Sequence, residues 1–353
     1  MSKFNKKNKK EIGMSPDALM FRWKKKMDHT LLRVIDFDAT HLEEKTLKKI
    51  EDIKSYKKTK TYTWLNIDGV DDTQVIEWLA HAFHLDTLVM SEIMNTHARP
   101  KVVEYDNCIS LSLKMLRVDD TNQIITENLG MILIDGVLIS FQESRWDVFE
   151  PVRERIRKNR KRIRTSWVDY LTFALLDIVI DNYLYVLSLL GEKIEDLEET
   201  LLSNTNSDII SRINDCKWQL NHLRKVIKPA KEMIFTLSKI DSDFITEQNT
   251  IHFKELQDNI TQASEVSDGY RDILSDQLNI YHTTISSNLN DVMKFLTVFS
   301  VVFIPLTFIV WIYGTNFAYV PELTYKYSYF IMWWVMIVVA IAMLLYFKRK
   351  KWL

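Results

Sequence analysis

A chain of 353 residues is long enough for a sizeable folded domain with further segments beside it. A formal net charge of −1 excludes a global field suited to nucleic acid, and 7 Gly and 6 Pro against abundant Leu, Ile, Lys and Glu favour long helices over a turn-rich β protein. Cys108 and Cys216 lie far apart, form no metal-ligand pair, and read as reduced thiols facing the cytosol.

In chain order, residues 1–28 open Lys-rich without an apolar core, which predicts a mobile tail and no secretory signal peptide. Residues 29–165 predict a cytoplasmic α/β domain. Leu31–Ile35, Tyr62–Ile67 and the alternating run Cys108 to Leu116 read as strands. Gly130–Ile134 and Val137–Phe141 flank Asp135-Gly136, a hairpin signal, and helical stretches fall near 73–84 and 86–95. After Trp146 the pattern is helical. Residues 166–249 predict an antiparallel helical hairpin: Leu187, Leu190, Ile194, Leu197 and Leu201 keep alternating three- and four-residue steps, with an acidic opposite face. Ser203-Asn204-Thr205-Asn206-Ser207 breaks this stretch, and a second helix runs from about 208 to 239.

A third helix starts near Thr250 with no Pro before Pro305, so a stalk over 250–294 continues into an apolar run at 295–313. About 55 residues at about 1.5 Å each would span roughly 80 Å. After a loop at 314–326 a second uncharged run covers 327–347, followed by a basic end at 348–353. A hydrocarbon core about 30 Å thick needs about 20 apolar residues in a helix, so both runs predict membrane spans. Lys294 before the first span and the basic ring Lys348, Arg349, Lys350 and Lys351 after the second place both termini in the cytoplasm, because the loop between carries only Glu322 and Lys326. Two spans cannot enclose a pore, so conduction would require an oligomer around an axis.

No enzyme signature is present: no Gly-rich phosphate loop, no His-Glu-x-x-His, no Gly-x-Ser-x-Gly, no Cys/His cluster. His81 and His84, three residues apart, lack a third ligand and read as surface or core histidines. The basic stretch Arg153 to Arg164 lacks interleaved aromatics and reads as a solvated helix face.

Polar groups in a span are costly and therefore candidates for function. Heptad-like steps along the first span join Met293, Leu296, Ser300, Ile304, Thr307, Trp311 and Gly314, starting one turn after Asn290 and ending beside Asn316. On a ring of helices this stripe gives an apolar constriction, then hydroxyls, then amides at the outer mouth. Ser300 and Thr307 have a second reading, as hydroxyls bonded to the preceding turn or to a neighbouring helix. No carboxylate lies on the stripe. Amide and hydroxyl oxygens accept hydrogen bonds from the waters of a cation such as Mg²⁺, which sheds its shell reluctantly, without holding it as tightly as carboxylates would. Gly314 would let the backbone turn and present its carbonyl.

Tyr313-Gly314-Thr315-Asn316-Phe317 followed by Val320-Pro321-Glu322-Leu323 resembles the Tyr-Gly-Met-Asn signature and Met-Pro-Glu loop of the CorA magnesium/cobalt channels. The resemblance extends through Asn290–Thr297, Pro305-Leu306-Thr307, Arg99–Val102, Pro151–Arg157 and the ending Lys350–Leu353, so it covers nearly the whole chain. It implies a funnel-shaped homopentamer in the cell (inner or plasma) membrane, its first span lining one central pore and its second facing lipid. It implies passive Mg²⁺ influx that also admits Co²⁺ or Ni²⁺. Gly314, Thr315 and Asn316 would form the selectivity filter, Met293, Leu296 and Ile304 the apolar gate, and Thr307 and Asn290 polar rings. Glu322 would attract cations from the outer loop. Glu92 and Glu255 match one regulatory divalent-ion site between subunits and Asp177 a second, where Ser91 stands in place of a frequent carboxylate. Two pore positions depart from the family: Thr315 replaces Met, and Trp311 stands where many relatives have a small residue. A Zn²⁺ transporter of the same superfamily and a non-conducting, membrane-anchored sensory or structural protein are the alternatives.

Overall fold

The computed structural model describes residues 25–58, 60–121, 123–160, 162–203, 208–316 and 320–352. Most of the predicted tail, the break at 204–207, Phe317 of the mouth motif and Leu353 lie outside the described residues. The chain divides into two compact units, Met1–Glu198 with Ser211–Leu274, and Glu199–Ile210 with Ser275–Leu353.

The first unit is built on a seven-stranded sheet. Its strands are β1 (Leu31–Phe37), β2 (Leu42–Leu47), β3 (Tyr62–Asp68), β4 (Lys101–Tyr105), β5 (Cys108–Val118), β6 (Ile124–Ile134) and β7 (Val137–Gln142), in the order β2-β1-β3-β7-β6-β5-β4. Only the central pair is parallel: β3 runs alongside β7 with Thr63 opposite Val137 and Asp68 opposite Gln142. The predicted hairpin joins β6 to β7, and Gly136 takes the positive φ of +74° that its tight turn needs.

Helices α1 (Thr73–Phe83) and α2 (Thr87–Met94) follow β3. Asp72 and Asp86 cap them, each accepting backbone N–H groups of the first turn. Ile76, Leu79, Phe83, Met90 and Ile93 from these helices pack on Val34, Leu65, Ile67, Ile132, Ile139 and Phe141 of one sheet face. Gly130 permits the close approach, since a Cβ there would stand 2.5 Å from Ile93 Cδ1.

The opposite face meets α3 (Glu150–Arg157) and α4 (Val168–Ser203). Trp64 meets Phe149 edge-on with Arg153 stacked over its ring, and the Tyr183 hydroxyl donates to the Lys114 carbonyl. This corrects the reading of Arg153 to Arg164 as a solvated face at its two ends, while Arg157, Lys158, Arg160 and Arg162 are exposed as expected. The helix stops at Arg157, Arg153 is only 5% exposed, and the buried Arg164 donates Nε to the Ile156 carbonyl at 2.6 Å. Arginines here serve as buried donors because carboxylates and helix-end carbonyls supply acceptors.

Leu187, Leu190, Ile194 and Leu197 of α4 are buried, as their spacing predicts. By length and mean hydropathy α4 also qualifies as a membrane span, but 56% of its most apolar window is buried inside the protein, against 11% for the two C-terminal helices. It is a core helix. Helix α5 (Asp208–Leu237) follows, and α6 runs from Thr250 to Tyr313, passing through Pro305. Buried Asp169 fixes the approach to α6 by accepting from the Thr246 N–H and hydroxyl and from Asn249 Nδ2. Both cysteines are buried and free, and burial pushes the Cys108 thiol up to about 11.

The second unit contains the remainder of α6, a 3-10 turn at Pro321–Thr324 and α7 (Ser328–Arg349). Val298, Val302 and Leu306 of α6 pack against Ala340, Met343 and Phe347 of α7. The basic end sits where the helix dipole favours it: Lys348 and Arg349 occupy the last turn of α7, and the Lys350 N–H returns to the Tyr346 carbonyl.

Candidate functional site

The contact with α7 orients α6. At about 100° per residue, Val298, Val302 and Leu306 centre on the α7 side, while Met293, Ser300, Ile304, Thr307 and Trp311 fall about 140–200° away. Leu296 and Gly314 lie at about 120° on the same side. The stripe read from the sequence is therefore the face of α6 turned away from α7. It is left uncovered by the rest of the chain: Met293 and Ile304 are each 64% exposed and Trp311 is 78% exposed. The flanks are apolar and exposed too, with Phe299 stacked on Phe303 on one side and Val301, Phe308 and Ile312 on the other. An apolar helix uncovered on three sides requires lipid or further copies of itself.

The second reading of Thr307, a hydroxyl bonded to the preceding turn, describes its geometry, and Thr315 behaves alike. Thr307 donates its hydroxyl to the carbonyls of Phe303 (3.0 Å) and Ile304 (2.9 Å), and Thr315 donates to Ile312 (2.8 Å). Each proton is therefore turned into the helix, and each oxygen keeps acceptor capacity. That polarity suits a hydrated cation, whose waters present hydrogens. The nearby carboxylate Asp291 lies on the α7 side by the same angular count and is paired with Lys294 at 2.9 Å, so the stripe carries no acid.

At its C-terminal end α6 stops on Tyr313. The Gly314 N–H is shared between the Val310 and Trp311 carbonyls at 3.0 and 3.1 Å, and Asn316 follows, exposed. The expectation that Gly314 is needed to turn the backbone is corrected here: Gly314 is not among the residues at positive φ, and a Cβ there would meet only the Val310 carbonyl at 3.4 Å and that of Trp311 at 3.7 Å. Asn290 and Glu322 are exposed, the latter in the first turn of the 3-10 segment.

The acidic candidates in the first unit do not form one cluster. Glu92, on α2, pairs with Lys101, and its shielded Oε2 has no hydrogen-bond partner among the described residues. Ser91 donates to the Leu88 carbonyl at 2.9 Å. Asp177 is pushed up to about 6 by burial and by the negative charges of Asp181 and Glu255, against the opposing pull of Arg155 and His252. Glu255 is exposed, 3.8 Å from His252 Nδ1. Asp181 was missed in the sequence, although an Asp pair four residues apart on an otherwise apolar helical stretch was a usable signal. Among the described residues no three or more His, Cys, Asp or Glu side chains are placed to hold a metal ion within one chain, His81 and His84 included.

A family model described as CorA-like Mg²⁺ transporter protein matches residues 59–349. The chain belongs to this family. It is 35% identical over 342 residues to the cobalt/magnesium transport protein CorA of Thermotoga maritima, covering 97% of each chain. The fold resembles the complete structure of the CorA magnesium transporter from Methanocaldococcus jannaschii, with a TM-score of 0.77 at 18% identity over 93% of this chain and 100% of that one. It also resembles the ZntB cytoplasmic domain from Vibrio parahaemolyticus, with a TM-score of 0.61 at 12% identity over 73% of this chain and 98% of that domain. The α/β domain, the long helix and the apolar C-terminal helices are thus the family's architecture, carried by a chain with membrane-spanning helices.

Proposed function

We propose that this chain forms a homopentameric channel for passive influx of Mg²⁺ and Co²⁺, with Ni²⁺ as a further substrate, and with both termini cytoplasmic. The observation that carries the reading is the stripe on α6. It faces away from α7, bears no carboxylate, and ends at the exposed Asn316. Its threonine protons are spent on helix carbonyls, which leaves oxygens for the waters of a cation. Gly314, Thr315 and Asn316 form the filter, Met293, Leu296 and Ile304 the apolar gate, and Glu322 the outer attraction. Family membership and the named activity of the Thermotoga relative support Mg²⁺ and Co²⁺. An inside-negative membrane contributes about 2.3 kcal/mol per unit charge per 100 mV, about twice that for a divalent ion, so no nucleotide is needed.

The protein reconstituted in liposomes should pass Mg²⁺ and Co²⁺ when internal Mg²⁺ is low. Absence of any divalent flux would sink the reading. The fold shared with the ZntB cytoplasmic domain gives Zn²⁺ transport as the second reading, and Zn²⁺ flux exceeding that of Mg²⁺ in the same assay would establish it.

Gating in this proposal uses cytoplasmic Mg²⁺ bound between subunits by Glu92, Glu255 and Asp177. Two features support it: the Glu92 Oε2, unpartnered among the described residues, and the mutual repulsion around Asp177, which a cation would relieve. Bound Mg²⁺ holds the ring closed, and its loss lets like charges loosen the interfaces. Neutralising Glu92 and Glu255 together to Gln should weaken the protection that Mg²⁺ gives against limited proteolysis. Protection at unchanged Mg²⁺ concentration would remove them as sensor ligands.

A further inference from the structure

From Thr307 to Asn316, hydrogen-bond acceptors on the uncovered face come in two layers. Thr307 supplies one, with its proton turned into the helix. About one turn beyond Trp311, the stretch Gly314-Thr315-Asn316 supplies the other. Trp311 stands between them on the stripe, at about 180° from the α7 contact, and is the most exposed large apolar side chain described. Its indole has one N–H donor and no acceptor. Resting on the channel reading above, we infer that Trp311 is a specificity-determining residue. A ring of its indoles makes a band, just inside the mouth, where a hydrated cation finds no hydrogen-bond acceptor for its waters.

The chemistry of such a band discriminates by how firmly an ion keeps its shell. A cation leaving the Asn316 layer for the Thr307 layer must carry its waters past indoles that cannot accept from them. Each hydrogen bond forgone slows passage roughly two- to tenfold. Mg²⁺, which demands near-ideal octahedral coordination and dehydrates reluctantly, bears this penalty in full. Ions that rearrange their waters more readily, such as Co²⁺, bear less. Trp311 therefore lowers the Mg²⁺ to Co²⁺ flux ratio relative to the same pore with a small residue in its place.

The competing position for Trp311 is against lipid, as a tryptophan anchoring α6 at the membrane interface. Two measurements on the full-length protein in liposomes decide. Trp311→Gly should raise Mg²⁺ flux by about threefold or more and raise the Mg²⁺ to Co²⁺ ratio, with Trp311→Phe between it and the wild type. Independently, Trp311→Cys should react with a charged, membrane-impermeant methanethiosulfonate. Cobalt(III) hexaammine, a rigid stand-in for a hexahydrated ion, should slow that reaction. The native Cys108 and Cys216 are buried and supply the unreactive background. An unreactive Trp311→Cys, or a Trp311→Gly that folds and conducts with an unchanged ion ratio, overturns the inference. The channel reading stands in that case provided the wild type conducts and Asn316→Ala does not. A wild type without flux overturns both.

Discussion

Asn316→Ala should abolish divalent-cation flux in proteoliposomes while leaving the oligomer intact. Asn316 is exposed immediately beyond the end of α6, where the stripe turned away from α7 terminates, and its amide oxygen is an acceptor for a cation's waters at the proposed mouth. In a ring, one substitution deletes the same acceptor from every copy. Two hydrogen bonds lost together, each worth up to about tenfold, already slow passage by about a hundredfold. The side chain is exposed and lies outside the apolar packing of α6 on α7, so assembly should not depend on it. The measurement is ion flux in parallel with the elution position of the purified oligomer. Normal flux in a correctly assembled variant would refute the filter assignment, whereas loss of assembly would move Asn316 into the interface.

Asp147→Ala should cost about 3–5 kcal/mol of stability, because the buried Arg153 loses its close, two-pronged carboxylate and keeps, among the described residues, only the Glu150 carboxylate at 3.4 Å. Arg153 donates to both Asp147 oxygens, at 2.8 and 2.5 Å, and Arg33 adds a third bond at 2.9 Å. Asp147 also accepts the Phe149 N–H at 3.0 Å, just ahead of α3. Both Asp147 and Arg153 side chains are 5% exposed, so water cannot substitute for the missing partner. Chemical denaturation of the detergent-solubilised full-length protein measures the loss. Replacing the pair together, Asp147→Leu with Arg153→Met, should recover much of it, since an apolar pair leaves no buried charge. A loss under about 1 kcal/mol in the single variant would mean that the network is not what holds α3 to the sheet.

The same residue has a defined acid limb. Burial alone would raise the Asp147 carboxyl, but the Arg153 hydrogen bonds and charge, the Phe149 N–H and Arg33 outweigh it and hold the group below its ordinary 3.8. The unfolded chain therefore binds the proton first as pH falls. The stabilisation is complete above the ordinary aspartate value and is lost as pH drops through the lowered folded value. Asp147→Ala should flatten stability over that acid interval, and an acid limb identical to that of the wild type would exclude this origin.

Much of the architecture was legible because it rests on local chemistry. Asp135-Gly136 specifies a two-residue hairpin by the positive φ available to Gly136. The five-residue stripe from Leu187 to Leu201 specifies a packed helix. The uninterrupted run from Thr250 specifies α6, which starts and ends where the sequence places it. Strands β2 and β4 were not legible. β2 has the sequence Leu-Glu-Glu-Lys-Thr-Leu and lies at the sheet edge, where charged side chains face water and apolar alternation is lost. β4, at the opposite edge, is short.

The sites divide along the same line. Which residues share the stripe on α6 follows from helical periodicity alone, as does the capacity of the two C-terminal helices to cross a membrane, because both depend on spacing and composition within one segment. Only tertiary structure decided that this stripe turns away from α7, that α4, also long and apolar enough to span, is buried as core, and that Arg153 and Arg164 are interior donors. It also decided that Asp181 and Glu255 bear on Asp177. These facts depend on what segments distant in sequence bring to a side chain, and burial and charge coupling exist only once those segments meet.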